Sequence, residues 1–172
     1  MNDISSQQIA SSPDIISSDA RLRRARTSDA LAIQKLINGY AERGVMLHRS
    51  LSELYENVRD FFVLEDEQDI IGCVALHVSW KDLAELKSLA VDEDNQGRGY
   101  GRALIDACMV EAAEIGISRV FALTYVPELF EKTGFMRTDK ALLPRKVWTE
   151  CVYCPKFPDC KEIAVIRELP LL

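Results

Sequence analysis

The sequence carries no excess of positive charge: 27 acidic side chains outnumber 21 basic ones, for a formal net charge of −6. A nucleic-acid-binding domain is normally basic, so that class is excluded first. Anionic small molecules are not excluded, because their capture depends on the local field and not on the sum. No apolar run approaches the roughly 18 residues a membrane span needs. The first 19 residues are rich in Ser, Asn, Asp and Gln and lack a basic segment followed by an apolar one. An export signal is therefore not expected, and a cytoplasmic protein is. Histidine is scarce as well: His48 and His77 stand far apart, each reading as a lone surface or core residue. There is no internal repeat and, past residue 20, no low-complexity tract.

What is present is ordinary for a globular chain: 48% apolar and 28% charged residues over 172 positions. That length suits one domain, of a size that buries about 68–70% of its unfolded surface. The polar stretch at residues 1–20 is expected to be a disordered tail, and residues 21–172 the domain.

The pattern predicts a short strand at 22–25. A helix follows to about Arg43, capped by Thr27 or Ser28, with Asp29 in its first turn and Ala30, Ile33, Ile37, Tyr40 and Ala41 on its apolar face. Ser50 and Glu53 form a capping-box pattern that opens a second helix through Val58. Three strands, at 61–65, 69–79 and 83–91, read as an antiparallel meander. A helix at 102–115 then presents Leu104, Ala107, Cys108, Ala112 and Ile115, and ends at Gly116. A buried strand at 119–124 and a short helix opened by Pro127 and closed at Gly134 complete the reading. A meander leading into strand, loop, helix, strand implies a mixed α/β sheet in which the last crossover pairs two strands in parallel.

The loop in that crossover, Gln96-Gly97-Arg98-Gly99-Tyr100-Gly101, is the most informative segment. It lacks the G-x-G-x-x-G spacing of a dinucleotide fingerprint and the Lys-Ser/Thr of a Walker A loop. It offers main-chain N–H groups unobstructed by side chains and emptying into a helix N-terminus, a geometry that binds phosphate. Arg98 and Arg102 add charge there. The plain alternative is a tight strand-to-helix turn.

Leu89-Ala90-Val91-Asp92, then Gln96-x-x-Gly99-x-Gly101, then a helix, resembles the acetyl-CoA-binding motif of the GNAT superfamily of N-acetyltransferases. Leu129-Phe130-Glu131-Lys132-Thr133-Gly134-Phe135 resembles that superfamily's second signature, a helix ending in Gly-Phe. Within the superfamily the chain is similar to the acetyltransferase domain of N-acetylglutamate synthases. The similarity lies in the segments 44–50, 84–91 and 121–124 and in Leu142-Leu143-Pro144 followed by the basic pair Arg145-Lys146. Those synthases often carry an amino-acid-kinase-like domain ahead of this one, so the resemblance is to a short, stand-alone form.

The resemblance implies a GNAT fold, acetyl-CoA as co-substrate and direct transfer of acetyl to the α-amine of L-glutamate in a ternary complex, a first step toward arginine. It implies Glu85 as general base, since an α-amine is mostly protonated near neutral pH. Just after a kink in the strand that carries Glu85, main-chain groups at Leu89, Ala90 and Val91 would hold pantetheine and the developing oxyanion, and the loop from Gln96 to Arg102 would hold the diphosphate. Many family members protonate the departing sulfur with a Tyr of the last helix, where this chain has Phe130. Thiols ionise near pH 8.5, so a weaker donor suffices; Thr124 is the first candidate and Tyr125 the second. Arg49, Lys87 and Arg145 match positions facing the acceptor, where a dicarboxylate needs cations, although a single such residue is ordinarily a solvated surface charge. A homodimer is the assembly to consider, without the sequence fixing it. The rival readings are an acetyltransferase for another small amine or a protein N-terminus, and a non-catalytic acyl-CoA-binding module.

Cys151-x-x-Cys154 and Cys160, in a Pro-rich loop, resemble part of a zinc knuckle without a nearby fourth ligand. Reduced loop thiols are the expectation, and no metal; Cys73 and Cys108 fall on apolar patterns and read as core.

Overall fold

Alternation of apolar and polar residues builds the first hairpin in the expected place. Strands β2 (Phe61–Asp66) and β3 (Asp69–Trp80) pair antiparallel across a two-residue turn in which Glu67 takes a φ of 53°. The computed structural model of the chain describes residues 20–143 and 151–170. Around the hairpin a seven-stranded sheet forms in the order β1-β2-β3-β4-β5-β7-β6, where β1 is Ala20–Arg24, β4 Leu83–Val91, β5 Arg119–Thr124, β6 Met136–Thr138 and β7 Ile163–Glu168. Only the β4–β5 pair in this sheet runs parallel, the mixed α/β sheet expected from the crossover. The expected tail falls outside the described residues except for Ala20, which is buried and opens β1.

Each sheet face carries its own helix. Helix α3 (Tyr100–Glu114) lays Leu104, Ile105 and Cys108 on Val74, Leu76, Ala84 and Leu86. Helix α1 (Ala30–Ala41) sets Ile33 and Ile37 against Val63, Cys73 and Ala75 on the other face. These stripes exclude water from both sides of the central strands, the term that dominates folding. Cys73 and Cys108 lie within them, and burial pushes the Cys73 thiol up to about 12 and that of Cys108 in the same direction.

Several boundaries differ from expectation for local reasons. Helix α3 begins two residues early, at Tyr100, because Gly99 supplies the left-handed cap. Its buried stripe takes Ile105 and Met109 in place of Ala107 and Ile115. At its end Ile117 N–H bonds Ala112 O at 2.8 Å and Gly116 N–H bonds Ala113 O at 3.1 Å, a Schellman turn that swings Ile117 inward and leaves Ile115 out. Neither Thr27 nor Ser28 caps α1. They form a 3-10 turn with Asp29, whose carboxylate accepts the Arg26 N–H at 2.7 Å. Helix α2 (Leu51–Glu56) has the expected reciprocal cap between Ser50 and Glu53 but stops before a second 3-10 turn, Val58–Asp60. Helix α4 (Pro127–Glu131) starts on its proline, and Phe130 packs edge-on against Phe135 with ring centroids 5.3 Å apart. Strands β6 and β7 had no counterpart in the pattern reading, and β7 enters the sheet between β5 and β6.

Candidate active site

The β4–β5 pairing is short. It holds at Leu83–Arg119, Ala84–Val120 and Glu85–Phe121, and beyond Glu85 the two strands part. Just past that point β4 is bulged: the register with β3 shifts between Ala75–Lys87 and Cys73–Ala90, and Ser88 takes a φ of 56°. The extra residue reverses the alternation, so Ala90 faces the α1 side while Leu89 and Val91 turn toward α3. A cleft of about 940 Å³ fills the opening between the parted strands.

One end of this cleft is the glycine loop. Gly97 and Gly99 have φ of 74° and 84°, values that favour glycine, and together they turn the chain so that the first turn of α3 opens on the cleft. The N–H groups of that turn have no acceptor within the helix and carry the positive end of its dipole, an anion-binding arrangement. Gln96 Nε2 donates to Tyr40 Oη at 2.6 Å and to Val91 O at 3.3 Å, while the Tyr40 hydroxyl also donates to Val91 O. The Gln96 side chain therefore ties the loop to β4 and α1. Arg102 lines the mouth, paired with Asp106 at 3.6 Å. The Arg98 guanidinium, between the two glycines, approaches Asp94 O at 3.5 Å.

The other end gathers the charged candidates. Glu85 and Lys87, two apart on one face of β4, stand 3.9 Å from each other. Arg49 reaches Glu53 at 3.8 Å, and its main chain is clamped by α1: Arg49 N–H donates to Asn38 Oδ1, and Arg49 O accepts from Gln34 and Asn38. The Glu53 carboxyl is held below the usual carboxylate range by the Ser50 N–H and hydroxyl and by the nearby Arg49 and Lys87 cations. Thr124 is buried at the end of β5; its hydroxyl oxygen accepts Val126 N–H at 3.0 Å, leaving its own proton for an acceptor in the cleft. The Tyr125 hydroxyl accepts from Lys156 Nζ at 3.0 Å. Arg145 and Lys146 lie outside the described residues.

Residues 151–162 also wall this end, a role the sequence did not disclose. Cys151, Cys154 and Cys160 are half-buried free thiols lining the cleft. Partial burial, and then the Glu85 carboxylate, push the Cys151 thiol up. Among the described residues no group of three His, Cys, Asp or Glu is arranged to hold a metal ion. His48 and His77 are paired with Glu42 and Asp60, each at 2.7 Å. Tyr40, Lys140 and Lys156 were missed as well. Tyr40 reads only as an apolar helix position, and nothing local marks a loop lysine.

Chemically, the cleft places an anion-binding helix N-terminus at one end and a carboxylate flanked by cations at the other. A long phosphorylated donor fits the first, and a small charged acceptor the second.

Known proteins share both the sequence pattern and the fold. An acetyltransferase (GNAT) domain matches residues 57–137. An uncharacterized N-acetyltransferase of Chlorobaculum tepidum is 39% identical over 151 residues, covering 88% of this chain and 97% of that protein. An amino-acid acetyltransferase of Mycobacterium tuberculosis is 39% identical over 132 residues, 75% of each chain. N-acetylglutamate synthase of Neisseria gonorrhoeae, solved with coenzyme A and N-acetyl-glutamate, superimposes with a TM-score of 0.81 at 30% identity. That match covers 90% of this chain and 36% of the synthase, so this chain spans about a third of that protein. A Mycobacterium tuberculosis structure containing CoA gives 0.74 at 33% identity, over 87% of this chain and 99% of that one.

Proposed function

The chain belongs to the GNAT acetyltransferase family, and from that premise we propose that it moves acetyl from acetyl-CoA to the α-amine of L-glutamate, a step toward arginine. The observation that carries the reading is the gathering of Glu85, Lys87 and Arg49 at the point where β4 and β5 part. The similarity to a synthase solved with coenzyme A and N-acetyl-glutamate supports it.

In this reading the diphosphate of acetyl-CoA lies on the glycine loop and the first turn of α3, with Arg102 at the mouth. Pantetheine runs along the bulged edge of β4, where main-chain groups at Leu89, Ala90 and Val91 are its partners. Arg49 and Lys87 hold the acceptor's carboxylates, with Arg145 as a third cation. Glu85 takes a proton from the ammonium, and the freed amine attacks the thioester carbonyl. A main-chain N–H near the bulge stabilises the oxyanion, and the tetrahedral intermediate collapses to the amide and a thiolate. The thiolate takes its proton from Thr124 or, failing that, Tyr125, and that hydroxyl is restored by the second proton the attacking nitrogen sheds as the amide forms. Phe130, packed on Phe135, has none to give.

A thiol-release assay with acetyl-CoA across the amino acids tests this directly. Glutamate is expected to be the preferred acceptor. Glu85→Gln should lower kcat on the order of 100-fold while leaving the acetyl-CoA KM nearly unchanged. Arg49→Ala and Lys87→Ala should act instead on the glutamate KM, each by about tenfold or more. Activity confined to amines without a side-chain carboxylate would end the assignment.

A further inference from the structure

The loop at residues 151–162 forms one wall of the cleft's acceptor end, supplying Cys154, Phe157, Pro158 and Glu162 to it. The wall facing it is the α1–α2 connection, with Val45, Met46, Leu47 and Arg49. These segments are more than a hundred residues apart in sequence, and residues 153–162 and 44–49 lie outside the helices and strands. Among the described residues, the Lys156 side chain spans them. Lys156 Nζ donates to Gly44 O at 2.8 Å on the facing wall and to Tyr125 Oη at 3.0 Å at the end of β5. The same ammonium lies 4.7 Å from the centroid of the Tyr125 ring. Two donated hydrogen bonds and a cation–π contact thus converge on one half-buried ammonium. The far end of the loop is fixed separately, by Lys140 Nζ donating to Cys160 O at 3.1 Å. Within the loop, turns from Cys154 N–H to Cys151 O and from Phe157 N–H to Cys154 O, both 3.0 Å, keep the intervening chain compact.

We propose that Lys156 is a positioning residue that sets the width of the acceptor end by tying the 151–162 loop to the α1–α2 connection and to Tyr125. The inference rests on the reading above that the acceptor lies beside Glu85. It differs from the role given to Arg49 and Lys87: those cations stand at the cleft to meet a carboxylate, whereas the Lys156 ammonium is engaged with a carbonyl, a phenol oxygen and a ring face. Its effect is on geometry. With the tie in place, Arg49 and the loop face each other at a fixed separation, and a small acceptor can touch both walls. Without it, each wall keeps its own local hydrogen bonds, and the separation between them is no longer held. Reach and charge are both required, so arginine can replace the lysine and methionine cannot.

Three enzymes decide the matter: the parent, Lys156→Met and Lys156→Arg. The methionine variant should raise the KM for glutamate about tenfold, with the acetyl-CoA KM within about twofold of the parent and kcat less affected than the glutamate KM. Amide hydrogen exchange should quicken in both 151–162 and 44–49, and the arginine variant should restore the kinetics and the exchange. Unchanged glutamate KM with unchanged exchange would overturn the proposal. So would glutamate and acetyl-CoA constants that rise together, the mark of a general loss of structure. If the parent prefers another amine, the glutamate assignment fails while the exchange comparison still decides the tie.

Discussion

Arg23 shows how much one side chain can organise. Its guanidinium donates to both oxygens of Asp29, at 2.7 and 3.0 Å, and to both of Glu65, at 3.0 and 2.9 Å. Only 9% of the Arg23 and Asp29 side chains is exposed, so each depends on the other to stay ionised away from water. Those bonds from Arg23 hold the carboxyls of Asp29 and Glu65 below their usual range, and they raise the guanidinium's own pKa. A carboxylate with a depressed folded-state pKa contributes stability above its unfolded value, near pH 4, and loses it as the pH falls through the lowered one. Asp29→Ala should therefore cost about 2–3 kcal/mol near neutral pH, on the order of 5–10 °C in Tm. The gap between variant and parent should close as the pH is taken toward 2; a gap constant across that range would contradict the triad's role. The sequence shows Asp29 as a favourable first-turn charge and no more. Its partner Arg23 lies on a strand, and Glu65 stands 42 residues from Arg23. Ion pairs of that separation exist only once the fold brings β1 and β2 together.

Among the elements, the glycine loop was the most legible, because it is local: spacing, flanking strand and following helix can all be read from consecutive residues. Its helix start was less legible: Gly99 takes the left-handed cap and α3 begins at Tyr100, two residues ahead of the expected start at 102. Gly99→Ala tests the element. No heavy atom lies within 4 Å of the added Cβ, so no clash is expected, and the cost is that of holding an alanine at a φ of 84°, about 1–2 kcal/mol. Tm should drop by a few degrees. The acetyl-CoA KM should rise tenfold or more, because the loop relaxes away from the conformation that aims its N–H groups. A normal acetyl-CoA KM in a correctly folded variant would separate the loop from the diphosphate. The bulge in β4 belongs to the same scale: the family resemblance implies a kink after Glu85, and the pairing with β3 places the extra residue at Ser88, in a run whose alternation looks continuous.

At the scale of the molecule, the order of the last three strands matters most. Strand β7 lies between β5 and β6, paired antiparallel with both, and contributes Ala164 and Val165 to buried clusters. The run Ile163-Ala-Val-Ile carries a β-branched signal, but it follows a Pro- and Cys-rich loop and β6 is only three residues long, so neither strand stood out from its surroundings. A chain ending at residue 162 would leave one edge of β5 unpaired from Arg119 to Thr124 and β6 without a neighbour. Such a chain should show no cooperative thermal transition by circular dichroism, whereas the full chain should show one. A cooperative transition in the truncated chain would mean that the first five strands are stable alone.

The path from β6 to β7 has a further consequence. To slot β7 beside β5, the chain leaves the sheet after Thr138 and returns at Ile163, and residues 151–162 of that excursion wall the acceptor end of the cleft. That excursion hangs from a frame whose hydrogen-bonded register it does not touch. Lengthening, shortening or resurfacing it would retune which amine is admitted, while the machinery that grips the acyl carrier stayed as it is.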